Sequence, residues 1–273
     1  VATKASKMSL GSVTLSAGAY FVVTAHSLST EAFEVMGMLL GSFEGDTARV
    51  VDAVPLCRSD RRKDRVEVDP KQLTYASDLA EDRGLKVVGW YHSHPHITAA
   101  PSAVDARTQG DYQKLDEKFF GIICAAFQGD PEVKFTAFQS TNASDVPGGF
   151  APPSYDDVVS RSVWRAKELP LKVVVGVEES SSSFESLRAL AGLQDALLLE
   201  EIKAGTKWSA QKEGRGLWQS FNDAVFLKAV ALLSADSLHP LIHVAEAKLS
   251  HERAKLHTLK DRLNHARGSS SSS

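Results

Sequence analysis

Two imidazoles one residue apart, His92 and His94, lie in the run VVGWYHSHPHITAAPSAVDARTQ (87–109), and a carboxylate, Asp105, follows eleven residues after the second. In an extended strand, residues two apart project from one face, so His92 and His94 can offer nitrogens to a single ion. Pro95 cannot donate to a ladder and ends the strand. Ser102-x-x-Asp105 reads as a helix start, with Ser102 as N-cap and Asp105 in the first turn. Two nitrogens and one carboxylate oxygen leave a fourth position open, the donor set of catalytic rather than structural zinc. His96 is in phase with the pair but lies beyond the proline, which makes it the weaker ligand candidate. On these residues alone a plain helix cap and a metal site both stand. They are compatible, because a cap that fixes the helix start also aims Asp105.

The elements around this run must bring its residues together. SVTLS near position 12 reads as a short strand, and AGAYFVVTAHSLS and TEAFEVMG as helical stretches, the second N-capped by Ser29 or Thr30. GMLLGSF and ARVVDAVPL are strands that pair as a hairpin across EGD. DPKQLTYASDLAEDRG is an amphipathic helix entered by Pro70 and stopped by Gly84. LKVVGWYHSH is a strand, and a helix follows from about Ser102 to Leu115. FFGIICAAF and EVKFTAFQS are two more strands divided by the turn QGDP. LKVVVGV (171–177) returns to the sheet as one strand. This order predicts an α/β (α+β) domain with a mixed sheet flanked by helices, over residues 9–178. Residues 141–160, rich in Pro, Gly, Ser and Asp, form a mobile loop within it, and SSSS at 180–183 is a hinge-like break.

Helical signals dominate residues 184–266. Ile242, Leu249, Leu256 and Leu263 recur every seven residues. Leu238, Ala245 and Leu259 fill companion positions, and Glu252 interrupts them. A narrow apolar seam with charge on the other faces predicts a coiled coil or bundle turned toward a partner. Residues 267–273 are a low-complexity, disordered tail.

Composition narrows the function classes. The 273 residues are 43% hydrophobic and 24% charged, as expected of a soluble globular protein. A net charge of −3 gives no global case for nucleic-acid binding. No apolar run reaches the ~20 residues of a membrane span, and no secretory signal is expected. Two cysteines, Cys57 and Cys124, argue against a disulfide framework or a thiolate zinc finger and fit the cytoplasm or nucleus.

His92-Ser93-His94, seven residues, then Ser102-Ala103-Val104-Asp105 resembles the signature of the JAMM (MPN-plus) metalloproteases. EVMGMLLG supplies the family's upstream glutamate, Glu34, ahead of Gly37. Glu31 is the rival, without the glycine at that spacing. The resemblance implies an MPN-type fold and one zinc ion per chain held by His92, His94 and Asp105. It implies Glu34 as the proton-transferring base and Ser102 as a donor to the oxyanion. HSHPHIT, PSAVDARTQ, HSLSTEAFEVMG and RSDRRKDRVEV are similar to the BRCC-type branch, the lysine-63-specific deubiquitinase subunits of BRISC-like assemblies, with their link to DNA repair. That branch implies lysine-63-linked ubiquitin chains as substrate. It also implies an Abraxas-type MPN-minus scaffold as partner, engaged through the MPN domain and C-terminal helices. A JAMM isopeptidase for another modifier or linkage and a non-catalytic MPN scaffold are the alternatives; the complete set Glu34, His92, His94, Ser102, Asp105 disfavours the second. Ala99-Ala100 is smaller than the branch pattern. The basic run from Arg58 to Arg65 reads as a solvated loop or a ubiquitin contact. The 141–160 loop, with neither Cys nor His, should hold no second zinc.

Overall fold

The computed structural model describes residues 10–57, 70–129, 133–142, 164–174, 188, 190–203, 217–233, 235 and 239–270. The basic run at 58–68, residues 143–160 of the predicted loop, the 180–183 break and Leu238 lie outside them. The chain divides into two compact units, Val1–Glu200 and Glu201–Ser273.

In the first unit, β1 (Ser12–Ser16) leads directly into α1 (Ala17–Leu28), and β2 (Met36–Glu44) turns into β3 (Thr47–Leu56). Then come α2 (Pro70–Asp82), β4 (Lys86–Pro95), α3 (Ala103–Gln113), β5 (Phe120–Ala126), β6 (Lys134–Asn142), β7 (Trp164–Leu169) and β8 (Leu171–Val174). The eight strands form one mixed sheet in the order β7-β6-β5-β4-β2-β3-β1-β8. The predicted hairpin is present: β2 and β3 are antiparallel, and Gly45 (φ 62°) supplies the left-handed turn residue between them. β4 and β5 are parallel, with α3 in the connection between them, as parallel neighbours require. A helix spanning 190–203, α4, completes the described part, and Leu193 and Ala196 on it are buried.

Alternation along the strands sorts side chains onto two faces. Leu39, Tyr91, Phe120 and Ile122 join Ala19, Val22 and Val23 of α1 in one core. Met38, Leu40, Trp90 and Ile123 join Ala76 and Ala80 of α2 in the other. His92 and His94 share the phase of Trp90 and so face the second side. β4 is buried without interruption from Val88 through His94, as a central strand covered on both sides must be.

One predicted element is overturned. TEAFEVMG is not a helix: residues 30–35 are irregular, and Met36 and Gly37 open β2. Nor is Ser29 or Thr30 an N-cap. Ser16 caps α1 instead, accepting from the Ala19 amide at 3.1 Å, and Ser29 is the C-cap of the same helix. Helical spacing of Phe33, Val35 and Met36 loses here to backbone pairing with β4, which a local pattern cannot report. β7 had no counterpart in the sequence reading, because WRAKEL has neither alternation nor an apolar run.

Gly37 shows how tightly β2 is packed. A Cβ there would collide with the Val54 carbonyl oxygen and the Tyr91 ring. Backbone cannot yield as a side chain can, so Gly37→Ala should destabilise the fold by about 1–3 kcal/mol, the usual cost of overpacking. A lowered urea midpoint at unchanged slope checks it.

In the second unit, α5 spans Leu217–Leu233 and α6 spans His239–Ser270. Ile242, Leu249, Leu256, Leu259 and Leu263 of α6 are each more than two-fifths exposed. The heptad seam therefore stands open in the single chain.

Candidate metal centre

β4 and α3 bring the site together. β4 presents His92 and His94 side by side, and their Nε2 atoms are 3.1 Å apart. Asp105 in the first turn of α3 places Oδ1 3.2 Å from His92 Nε2 and Oδ2 3.5 Å from His94 Nε2. All three residues are buried. Among the described residues they are the one group of His, Cys, Asp or Glu able to hold a metal ion.

The donor set fits a tetrahedral divalent ion. Ligand bonds of about 2.0–2.1 Å at tetrahedral angles put neighbouring donors about 3.3–3.4 Å apart, close to the separations seen. The chemistry agrees. His94 Nδ1–H donates to the Thr98 carbonyl at 2.7 Å, so its Nε2 presents a lone pair toward a nitrogen and a carboxylate oxygen. Acceptors crowded this closely need a cation between them, a proton or a metal. The ionisation behaviour points the same way. Burial opposes charge on Asp105, but hydrogen bonds from His92 and His94 outweigh it and hold the carboxyl well below the usual carboxylate range. Burial also opposes charge on His94, yet Asp105 and the Thr98 carbonyl, with Glu34 adding to them, raise its pKa.

A pH dependence follows for the metal-free protein. Its raised pKa makes His94 a source of stability that is complete below the unfolded value of about 6.5 and lost as pH rises through the folded value. Asp105 is ionised in both states over that range and adds no slope. Chelator-treated protein should therefore melt at a lower temperature at pH 8 than at pH 6, and His94→Gln should flatten the difference. Thermal denaturation followed by circular dichroism checks it.

Local sequence explains why the ligands hold their posts. Ser102 Oγ accepts from the Asp105 amide at 3.2 Å, and the Ser102 amide donates to Asp105 Oδ2 at 2.7 Å, a complete capping box. In that cap the Ser102 oxygen is an acceptor. The Ser102 side chain also hydrogen-bonds the Asp105 carboxylate and helps to lower its pKa, and the residue is exposed beside the cluster. The predicted cap and the predicted ligand are thus one structure.

Trp90 and Gln109 went unnoticed in the sequence. The Trp90 indole stacks on the His92 ring at 4.7 Å and 10°. Its Nε1–H donates to Gln109 Oε1 at 2.7 Å, and Gln109 Nε2 donates to the Phe119 carbonyl at 2.7 Å. Gln109 is fully buried on α3, one turn beyond Asp105. The clamp thus ties the helix bearing one ligand to the strand bearing two. The signal was present as spacing: Trp90 is two before His92 on a strand, and Gln109 four after Asp105 on a helix.

Glu34 lies half-buried just before β2, near enough to His94 for its charge to act on that imidazole. Glu31, its rival, is exposed and instead faces His96, with a carboxylate oxygen 3.5 Å from Nε2. His96 stays out of the cluster. Past Pro95 it adopts a left-handed conformation (φ 62°) and donates from Nδ1 to the Phe127 carbonyl at 2.9 Å.

With fold and geometry in place, the comparisons are direct. Residues 8–118 match the family described as JAB1/Mov34/MPN/PAD-1 ubiquitin protease, and residues 186–265 match the BRCC36 C-terminal helical domain. The chain belongs to the JAB1/Mov34/MPN/PAD-1 family, in the branch that carries this helical domain. Its relatives include a Lys-63-specific deubiquitinase BRCC36 of Camponotus floridanus, 33% identical over 93% of this chain and 95% of that protein. The protein of the same name from Xenopus laevis is 34% identical over 93% of this chain and 95% of its own length. That from Callithrix jacchus is 32% identical over 91% and 92%.

Proposed function

We propose that this protein is a zinc-dependent deubiquitinase that hydrolyses the isopeptide bonds of lysine-63-linked ubiquitin chains. The observation that carries the reading is the convergence of His92, His94 and Asp105 on one point, with Glu34 beside them. The named relatives supply the substrate class. His92, His94 and Asp105 would hold the zinc, leaving a fourth position for water. Bound there, zinc would supply a water of pKa lowered toward about 7 and a Lewis acid for a carbonyl. Glu34 takes the proton of the attacking water and later delivers it to the departing lysine amine. Ser102 donates its hydroxyl proton to the oxygen of the attacked carbonyl as negative charge develops there. The capping box holds that hydroxyl at the helix start throughout.

The open seam of α6 supports work in a complex. We assign its partner as an Abraxas-type MPN-minus scaffold, engaged through the MPN domain and the C-terminal helices. The buried cysteines Cys57 and Cys124, neither in a disulfide, support residence in the cytoplasm or nucleus.

Cleavage of a panel of di-ubiquitins, with and without such a scaffold and with zinc removed and restored, tests the reading. Zinc-dependent cleavage of the lysine-63 linkage is expected. No zinc-dependent cleavage in any setting would overturn the enzyme assignment, and equal cleavage of all linkages would overturn the specificity. Bound-metal analysis of His92→Ala tests the ligand assignment apart from turnover.

A further inference from the structure

We propose that Ser93, the residue between the two histidines, is the positioning residue that sets Glu34 over the metal centre. This rests on the reading of Glu34 as the proton-transferring base.

The register of β2 against β4 states the problem. Met36 is opposite His92, so a continued antiparallel ladder would place Val35 opposite Ser93 and Glu34 opposite His94. Residues directly opposite in such a ladder share a face, with side chains about 5 Å apart. β2 nevertheless stops at Met36. What carries the register one residue further is Ser93. Its amide donates to the Val35 carbonyl at 2.9 Å, and its Oγ accepts from the Val35 amide at 2.9 Å. A side-chain oxygen thereby takes the place of the backbone carbonyl that would close the next rung.

Both partners are sealed from water: Ser93 is fully buried and Val35 is 1% exposed. A buried amide whose acceptor is removed has no solvent to replace it, so the segment must shift to recover a bond. Glu34 is the next residue along. Thr30 Oγ1 accepts from the Ala32 amide at 3.3 Å, and the Glu31–His96 pair is exposed.

His92 and His94 lie on the opposite phase of the strand, so loss of the Ser93 hydroxyl leaves their donor atoms in place. Displacement of Glu34 by about 1 Å can cost on the order of a hundredfold in rate. The expected effect therefore falls on kcat.

Full-chain Ser93→Ala and Ser93→Thr, each with its scaffold partner, are compared with wild type for bound zinc, KM and kcat on lysine-63 di-ubiquitin. Ser93→Ala should keep its zinc and its KM and lose about tenfold to a hundredfold in kcat. Ser93→Thr, which restores the acceptor, should recover most of that loss. Unchanged kcat in Ser93→Ala, or a loss that tracks lost zinc, would overturn the proposal. If the alanine variant does not fold, Ser93→Cys, close in shape but a weak acceptor, must show the same kcat loss; full activity in it would overturn the proposal. Wild type with no zinc-dependent cleavage would instead sink the functional reading beneath it.

Discussion

Glu34→Gln should abolish most di-ubiquitin cleavage while leaving bound zinc at the wild-type level. Glutamine keeps the size and hydrogen-bonding reach of glutamate but cannot take a proton from water or return it to a leaving amine. General acid–base groups contribute about 10²–10⁴-fold, and Glu34 is assigned both transfers, so a loss toward the upper end is expected. His92, His94 and Asp105 are untouched, which is why metal content separates this outcome from a damaged site. Metal analysis beside single-turnover cleavage provides the check, and near-wild-type turnover would remove Glu34 from the reaction. Glu31→Gln is the matched control. Glu31 is an exposed residue facing His96 outside the cluster, so its replacement should leave turnover near wild type and stability within ~0.5 kcal/mol.

Asp105→Asn is the second large effect, and it divides two roles held by one side chain. Asparagine retains an oxygen that can accept from the Ser102 amide, so the cap of α3 survives in outline. It removes the negative charge that balances a divalent ion and the two imidazoles. Zinc content and activity should both fall to background. Thermal stability of the metal-free form should also fall at neutral pH, because the ionised carboxylate that the two imidazoles hold below its usual range is lost. Asp105→Ala should lose the metal equally and also weaken the helix start by about 1 kcal/mol, a typical cap loss. Comparing metal-free melting temperatures of the two variants isolates the cap. Zinc retained by Asp105→Asn would exclude Asp105 as a ligand.

The sequence by itself determined what depends on neighbours along the chain. A period of two on a strand puts His92 and His94 on one face, and a serine three before an aspartate makes a cap that aims Asp105. Both are local geometry, so the three candidate ligands are legible without the fold. The hairpin at Gly45 and the helix between Pro70 and Gly84 are legible for the same reason, since turn and cap residues act where they stand. Tertiary structure decided the rest. Residues 30–36 carry an apolar spacing that suits a helix, yet they are irregular up to the start of β2, where Val35 pairs with Ser93, 58 residues away. The same pairing brings Glu34 to His94. The Trp90 clamp likewise depends on α3 folding back beside β4 to offer Gln109. A buried polar group takes whichever partner the fold brings within reach, and sequence spacing carries no record of that choice. The His-His-Asp cluster was written locally; the glutamate proposed to serve it was placed by a long-range strand pairing.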